Sequence, residues 1–276
     1  MKAPRPQISS EGARWAVSLL APMMMGLVLL TVWEGGCRLA AMPVYLLPKP
    51  SDIALVLLTD GSHLVLALFV TLRIALSALV VAALIGTPLA ILFVQNRWLE
   101  RSLFPFAILF QVTPIVAIAP LIIILVKNTQ LAILICASVM ALFPIISNTV
   151  TGLRSVDRDL ADYFTMNRAG AIKTLWRLKI PSALPYFLAG LRISSGLALI
   201  GAVVAEFIAG TGGRSAGLAY EILQAGFALD IPRMFTAVFL IGLSGIGIFL
   251  MMAALTRYLI GHWHESERSS ITTVSS

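Results

Sequence analysis

The sequence predicts an all-α polytopic membrane bundle with six transmembrane helices. Of 276 residues, 59% are hydrophobic and 12% charged, against roughly 45–50% and about 25% in an ordinary soluble domain. That apolar surplus needs lipid as its solvent. The apolar residues form long unbroken runs rather than an alternating pattern, which selects helices over barrel strands. The basic residues fall unequally between the segments joining those runs, as in membrane proteins. The net charge of +7 is thus spread over short inter-span segments, which argues against nucleic acid as a partner.

Six runs define the spans, near residues 15–33, 64–94, 103–126, 131–150, 187–209 and 234–260. All six are long enough to cross the hydrocarbon layer, which takes about 20 residues. Together they make a membrane domain over 15–260, with tails at 1–14 and 261–276. Lys2, Arg5 and Arg14 resemble the basic leader of a signal peptide. The apolar stretch after Arg14 is longer than an h-region of about 7–15 residues, and Glu34-Gly35 before Cys37 does not suit lipoprotein processing. A retained first helix is the expectation. With the N-terminus inside, thirteen Lys and Arg fall in cytoplasmic segments and five in the opposite ones. Both termini are therefore expected in the cytoplasm.

In the second span, Ala78, Ala82, Gly86 and Ala90 repeat every four residues; Gly201, Ala205 and Ala209 do so in the fifth. Such smooth ridges let membrane helices approach closely, and packing within one bundle is the reading adopted. Pro88, Pro105, Pro114, Pro120, Pro144 and Pro185 lie inside spans, and each is expected to bend or break its helix. Gln111 and Thr113 beside Pro114 make the third run partly polar, so they are candidates to line a pathway. Glu206 is a further pathway candidate. Pairing with Arg73 or Arg192 competes with a plain polar position at the outer interface near Gly210-Thr211-Gly212-Gly213, and the interface reading is preferred. For Arg73 and Arg192, each near a span end, snorkelling is the simple explanation.

No catalytic or metal centre emerges. Gly242-Leu243-Ser244-Gly245 matches a short string of intramembrane serine proteases, but the histidines, His63, His262 and His264, lie outside the spans, so glycine packing explains it better. His262 and His264 alone do not make a metal site. Cys37 and Cys136 have no disulfide or metal spacing.

The longest polar stretch, 151–184, separates the fourth and fifth spans. Leu160, Tyr163, Phe164 and Asn167, then Ile172, Leu175, Trp176 and Lys179, follow helical spacing. Two short helices are expected, with the bend at Gly170 and Pro181 ending the second. Such a hairpin either lies in the lipid headgroups or fits a groove on a cytosolic partner.

This loop resembles the coupling loop of permeases in binding-protein-dependent ABC importers, whose pattern is Glu-Ala-Ala, three residues, Gly, nine residues, Ile-x-Leu-Pro. Asp162 stands at the Glu position, and Leu178, Ile180 and Pro181 at the terminal apolar and proline positions. Tyr163 and Phe164 replace the alanines, and Arg168 replaces the glycine, with Gly170 two positions later. Ser182-Ala183-Leu184-Pro185, Gly190-Leu191-Arg192, Leu47-Pro48-Lys49-Pro50-Ser51-Asp52, Thr71-Leu72-Arg73 and Pro114 through Leu121 are similar to the nitrate/sulfonate/taurine branch. The Trp-Phe-Gly usual after the third span is absent; Val126-Lys127-Asn128 stands near there.

The resemblance implies a MetI-like permease core in a bacterial inner membrane, paired with a second permease subunit as a homodimer. It implies two cytosolic ATPase subunits that bind ATP and Mg, and an extracytoplasmic solute-binding protein. The solute expected is a sulfonate, taurine or nitrate-like anion, or a thiamine-precursor pyrimidine. Coupling to the ATPase would fall on Asp162, Phe164, Arg168, Gly170, Leu175, Trp176, Leu178, Ile180 and Pro181. The chain has no G-x-x-x-x-G-K-[ST] string, so ATP chemistry is expected on the partner and no cofactor on this chain. The alternative is a secondary transporter driven by an ion gradient, a class often built from internal repeats; no such repeat is evident here.

Overall fold

The computed structural model describes residues 10–210, 212 and 216–260, with side chains from Leu20 onward. The basic tails and the His262–His264 pair therefore lie outside the described residues, as do Thr211, Gly213 and Arg214. In order the helices are α1 (Ser10–Leu39), α2 (Pro50–Thr59), α3 (Gly61–Gln95), α4 (Arg97–Val112), α5 (Ile115–Leu125), α6 (Thr129–Arg154), α7 (Arg158–Met166), α8 (Ala171–Thr174), α9 (Ile180–Ala209), α10 (Leu218–Phe227) and α11 (Ile231–Ile260). A π-helical turn, Leu175–Lys179, joins α8 to α9. No strand occurs among the described residues.

Among the described residues five helices are long and apolar enough to cross a membrane: the Leu20–Leu39 part of α1, α3, α6, the continuous stretch Ala171–Ala209, and α11. The third run differs from the single span expected. It forms α4 and α5, which meet at 102° and make a sixth crossing only if taken as one bent span. Thr113 and Pro114 are both extended there, with ψ of 123°. The other interior prolines do not break their helices: Pro88, Pro105, Pro120, Pro144 and Pro185 all lie within continuous helix. Membrane helices keep their remaining backbone bonds because lipid offers no substitute partners. At Pro114 packing tips the balance, since the turn lets α5 bury Ile115 and Ala119 against α6 and α9, while α4 buries no residue.

The core is a seam of small residues between α3, α6 and α9. Ala78, Ala82, Gly86 and Ala90 are all buried, as are Gly201 and Ala205. A methyl on Gly86 would meet the Ile145 Cγ2 at 3.1 Å, and one on Gly201 would meet the Ala137 Cα at 2.9 Å. At Gly190 it would stand 2.8 Å from the Pro144 carbonyl oxygen, and at Gly152 2.9 Å from the Ala183 Cα. Close backbone approach of this kind drives association where no hydrophobic effect operates between helices. The buried Ser194 hydroxyl donates across the seam to the Ala141 carbonyl at 2.6 Å. Cys136 is buried in the same cluster, and both it and Cys37 are free thiols.

The two ends of the bundle are chemically distinct. One carries the α7–α8 hairpin and the Glu100–Arg154 ion pair at 2.6 Å. The other carries α2 and α10, where Arg233 bonds Asp60 at 3.1 Å and Glu221 at 2.9 Å, tying α10 and α11 to the α2–α3 junction. At that same end the Glu34 carboxylate accepts from the Ser51 N–H at 3.1 Å and from Arg38 at 2.7 Å, tying α1 to α2.

Candidate functional site

The hairpin is built by local capping. Asp157 Oδ1 accepts from the Asp159 N–H at 2.8 Å and opens α7, an acceptor placed on the orphan donors of a helix start. The Asn167 amide donates back to the Tyr163 carbonyl at 2.8 Å at its end. The chain then reverses at Arg168, which takes the left-handed φ of +48°. Gly170 does not make the bend: its φ is −62°, and a methyl there would meet nothing within 4 Å. Glycine's access to positive φ is thus unused at 170, while Arg168 bears the strain.

Nor does Pro181 end the second helix. Helix continues from Ala171 to Ala209, with Pro181 in the first turn of α9. The Leu175–Lys179 π turn precedes it. Proline lacks an N–H and crowds the carbonyl four residues back; a π turn shifts the bonding register by one residue and relieves that conflict. The hairpin is therefore continuous with α9 rather than hinged to it.

The sequence-selected residues divide by exposure. Leu178 is buried on the bundle; Phe164, Leu175 and Ile180 are half-buried; Asp162, Arg168, Gly170 and Pro181 are exposed. Five apolar side chains face open space: Leu160, Tyr163, Met166 (84% exposed), Ile172 (76%) and Trp176 (66%). Beside them Arg97, Arg101, Arg154 and Lys179 line a cleft of about 620 Å³ with Glu100, which Arg154 already pairs.

The pathway candidates are not brought together. Gln111 is exposed on α4, and the Thr113 hydroxyl donates to the Leu109 carbonyl at 2.7 Å beside the α4–α5 break. Glu206 lies elsewhere and corrects the expectation of a surface polar residue, being 4% exposed. Its Oε2 accepts from the Thr71 hydroxyl at 2.9 Å and from the Ala219 N–H at 3.4 Å. The Leu218 N–H in turn donates to Thr71 Oγ1 at 2.9 Å. Side chains of α3 and α9 thus cap the first turn of α10, with a carboxylate at the positive helix end. Glu206 Oε1 is buried with no hydrogen-bond partner among the described residues. Neither arginine reaches this carboxylate: Arg192 lies 4.0 Å over the Phe249 ring, and Arg73 opens into a separate cleft. Thr71 and Gly217 were missed as parts of this latch. A threonine inside an apolar run requires a hydrogen-bond partner, which was the available signal for Thr71. Gly217 leaves no room for a methyl because the Glu206 carboxylate fills that space.

Among the described residues no group of three His, Cys, Asp or Glu side chains gathers as a metal site. Ser244 in the Gly242–Gly245 string only donates to the Ile241 carbonyl at 2.7 Å. The described architecture positions helices around a hairpin and a latch.

Residues 78–261 match the family described as binding-protein-dependent transport system inner membrane component. The chain belongs to this family. Among curated relatives, the permease is 31% identical to the formylaminopyrimidine transport permease ThiX of Halalkalibacterium halodurans, over 87% of this chain and 95% of the relative. It is 32% identical to the riboflavin transport system permease RibX of Chloroflexus aurantiacus, over 87% and 88%. It is 29% identical to the putative aliphatic sulfonates transport permease SsuC of Bacillus subtilis, over 88% and 83%. A crystal structure of an amino acid ABC transporter with histidines superposes with TM-score 0.61 at 14% identity, covering 74% of this chain and 97% of that one. The fold is thus that of an ABC transporter permease, a polytopic membrane subunit that is not itself catalytic.

Proposed function

We propose that the permease works as one of two copies in an ATP-driven importer and is moved by separate ATPase subunits gripping the α7–α8 hairpin. The supporting observation is the exposed apolar face of Leu160, Tyr163, Ile172 and Trp176 at one end of the bundle. An amphipathic helix pair left uncovered by the other described residues suits a groove on a partner. The three cations in the adjacent cleft with no ion-pair partner among the described residues favour an acidic rim on that partner. The π turn makes the hairpin and α9 one lever, so motion of the hairpin reaches the seam with α6. On this reading the hairpin end and both termini are cytoplasmic, in keeping with the basic bias, and a solute-binding protein docks at the α2–α10 end. ATP and Mg belong to the ATPase. The solute is a small sulfonate, taurine or nitrate-like anion, or a pyrimidine of the kind named for the ThiX relative.

The test is co-purification of the ATPase with Trp176→Glu and Ile172→Glu variants that stay monodisperse in detergent. Each charge placed on the exposed face is expected to cut recovery of the ATPase at least about tenfold, the scale of one buried unpaired charge in an interface. Retention of the ATPase by both variants, or solute uptake that persists without ATP and collapses with an ionophore, overturns the proposal.

A further inference from the structure

At the end opposite the hairpin, the cleft between α3 and α6 has a one-sided chemistry. Arg73 and Ser77 stand about one turn apart on α3, Asn128 and Gln130 stand at the start of α6, and Ile74 and Leu134 form an apolar floor. The space is about 290 Å³, at the lower edge of the roughly 300–1,000 Å³ usual for small-molecule sites. Among the described residues no acidic side chain lines it.

Arg73 differs from Arg192, the other arginine inside a predicted span. Among the described residues Arg192 has the Phe249 ring, while Arg73 is exposed and, like Arg97 and Arg101 at the hairpin end, has no acidic partner. Asn128 Oδ1 already accepts from the Leu131 N–H at 3.1 Å, which leaves both N–H donors of its NH₂ available. An ionisable residue on a membrane helix is a functional candidate whose partner has to be named. Snorkelling explains one arginine reaching the headgroups. It does not explain three neutral hydrogen-bonding side chains around it, two of them from another helix.

We infer that this cleft binds the oxyanion head of the transported solute, with Arg73 as its charged anchor. A planar guanidinium offers paired donors to a sulfonate or carboxylate. Asn128, Gln130 and Ser77 supply further hydrogen bonds, and Ile74 and Leu134 suit a short apolar body. The role in transport rests on the importer reading above; the binding itself does not.

The probe is ethanesulfonate, titrated at constant ionic strength against chloride while the thermal unfolding of the purified permease is followed in phosphatidylcholine nanodiscs. Wild type is expected to show a saturable rise in Tm. Arg73→Gln is expected to weaken apparent affinity at least about tenfold, the scale of one lost charge-assisted hydrogen bond, with Arg73→Lys falling between. Asn128→Asp retains the helix cap but sets a carboxylate in the cleft, and is expected to abolish the response while folding as wild type. An unchanged response in Arg73→Gln or in Asn128→Asp, or no saturable response in wild type, overturns the assignment. So does stabilisation by phosphatidylglycerol nanodiscs but not by ethanesulfonate, which would make the site a lipid seat. ATPase co-purification scored on the same samples separates the two readings: binding without an ATPase leaves the cleft standing and removes the importer.

Discussion

Replacing Gly190 by alanine tests the packing of the bundle most directly. The new Cβ would stand 2.8 Å from the Pro144 carbonyl oxygen, 2.9 Å from the Asn148 Cβ and 3.4 Å from the Ile145 Cα. The nearest of these is backbone in the middle of α6, so no side-chain rotation relieves it. Restoring ordinary separation requires α6 and α9 to part by about 0.6 Å at that point, enough to forfeit a quarter or more of each nearby dispersion well. Overpacking on this scale costs about 1–3 kcal/mol. The Ser194–Ala141 hydrogen bond, one turn along the seam, lengthens with it and its loss adds up to about 1 kcal/mol. The expected total of roughly 1–4 kcal/mol is about a 5-fold or larger shift in the unfolding equilibrium. SDS-titration unfolding of purified protein in mixed micelles measures it. Gly196→Ala and Gly242→Ala are the controls, because a methyl at either meets nothing within 4 Å; they are expected to be neutral or stabilising by up to about 1 kcal/mol. A Gly190→Ala protein that unfolds with the wild-type midpoint, or controls that fall as far, would refute the backbone-seam argument.

Two further outcomes test the latch at the opposite end. Thr71→Val removes the donor to Glu206 and the acceptor for the Leu218 N–H, and is expected to lower stability by about 1–3 kcal/mol, with Thr71→Ser near wild type in the same SDS titration. Gly217→Ala pushes a methyl into the Glu206 carboxylate and is expected to free the start of α10, read as faster maleimide labelling of a cysteine introduced at Ala219 (buried in the native protein); unchanged labelling would show that α10 is held by other contacts.

Much of the scaffold was legible in the chain. The four-residue ridges of α3 and α9 became buried seams because close approach depends on residue size at one helix face, which spacing alone reveals. The hairpin was legible from its periodicity, since capping by Asp157 and the short reach of α7 are local. Its bend was misassigned: glycine permits a positive φ but does not compel one, and the reversal fell on Arg168. Pro181 was read as a stop because the rule for a residue before proline is local, whereas a π turn absorbed the proline and kept the helix running. The site residues at the α10 end were the least legible. Thr71 and Glu206 are 135 residues apart, and no short-range pattern encodes their meeting.

The sequence by itself determined that this is a helical membrane protein with a basic-biased end and an amphipathic hairpin, because hydropathy, periodicity and charge act over one helix length. Only the tertiary structure decided which of the spans' prolines breaks a helix, which polar group buries itself at the head of α10, and which arginines find carboxylate partners. Those outcomes depend on what a neighbouring helix presents across a few ångströms, and that neighbour is set by the packing of the whole bundle.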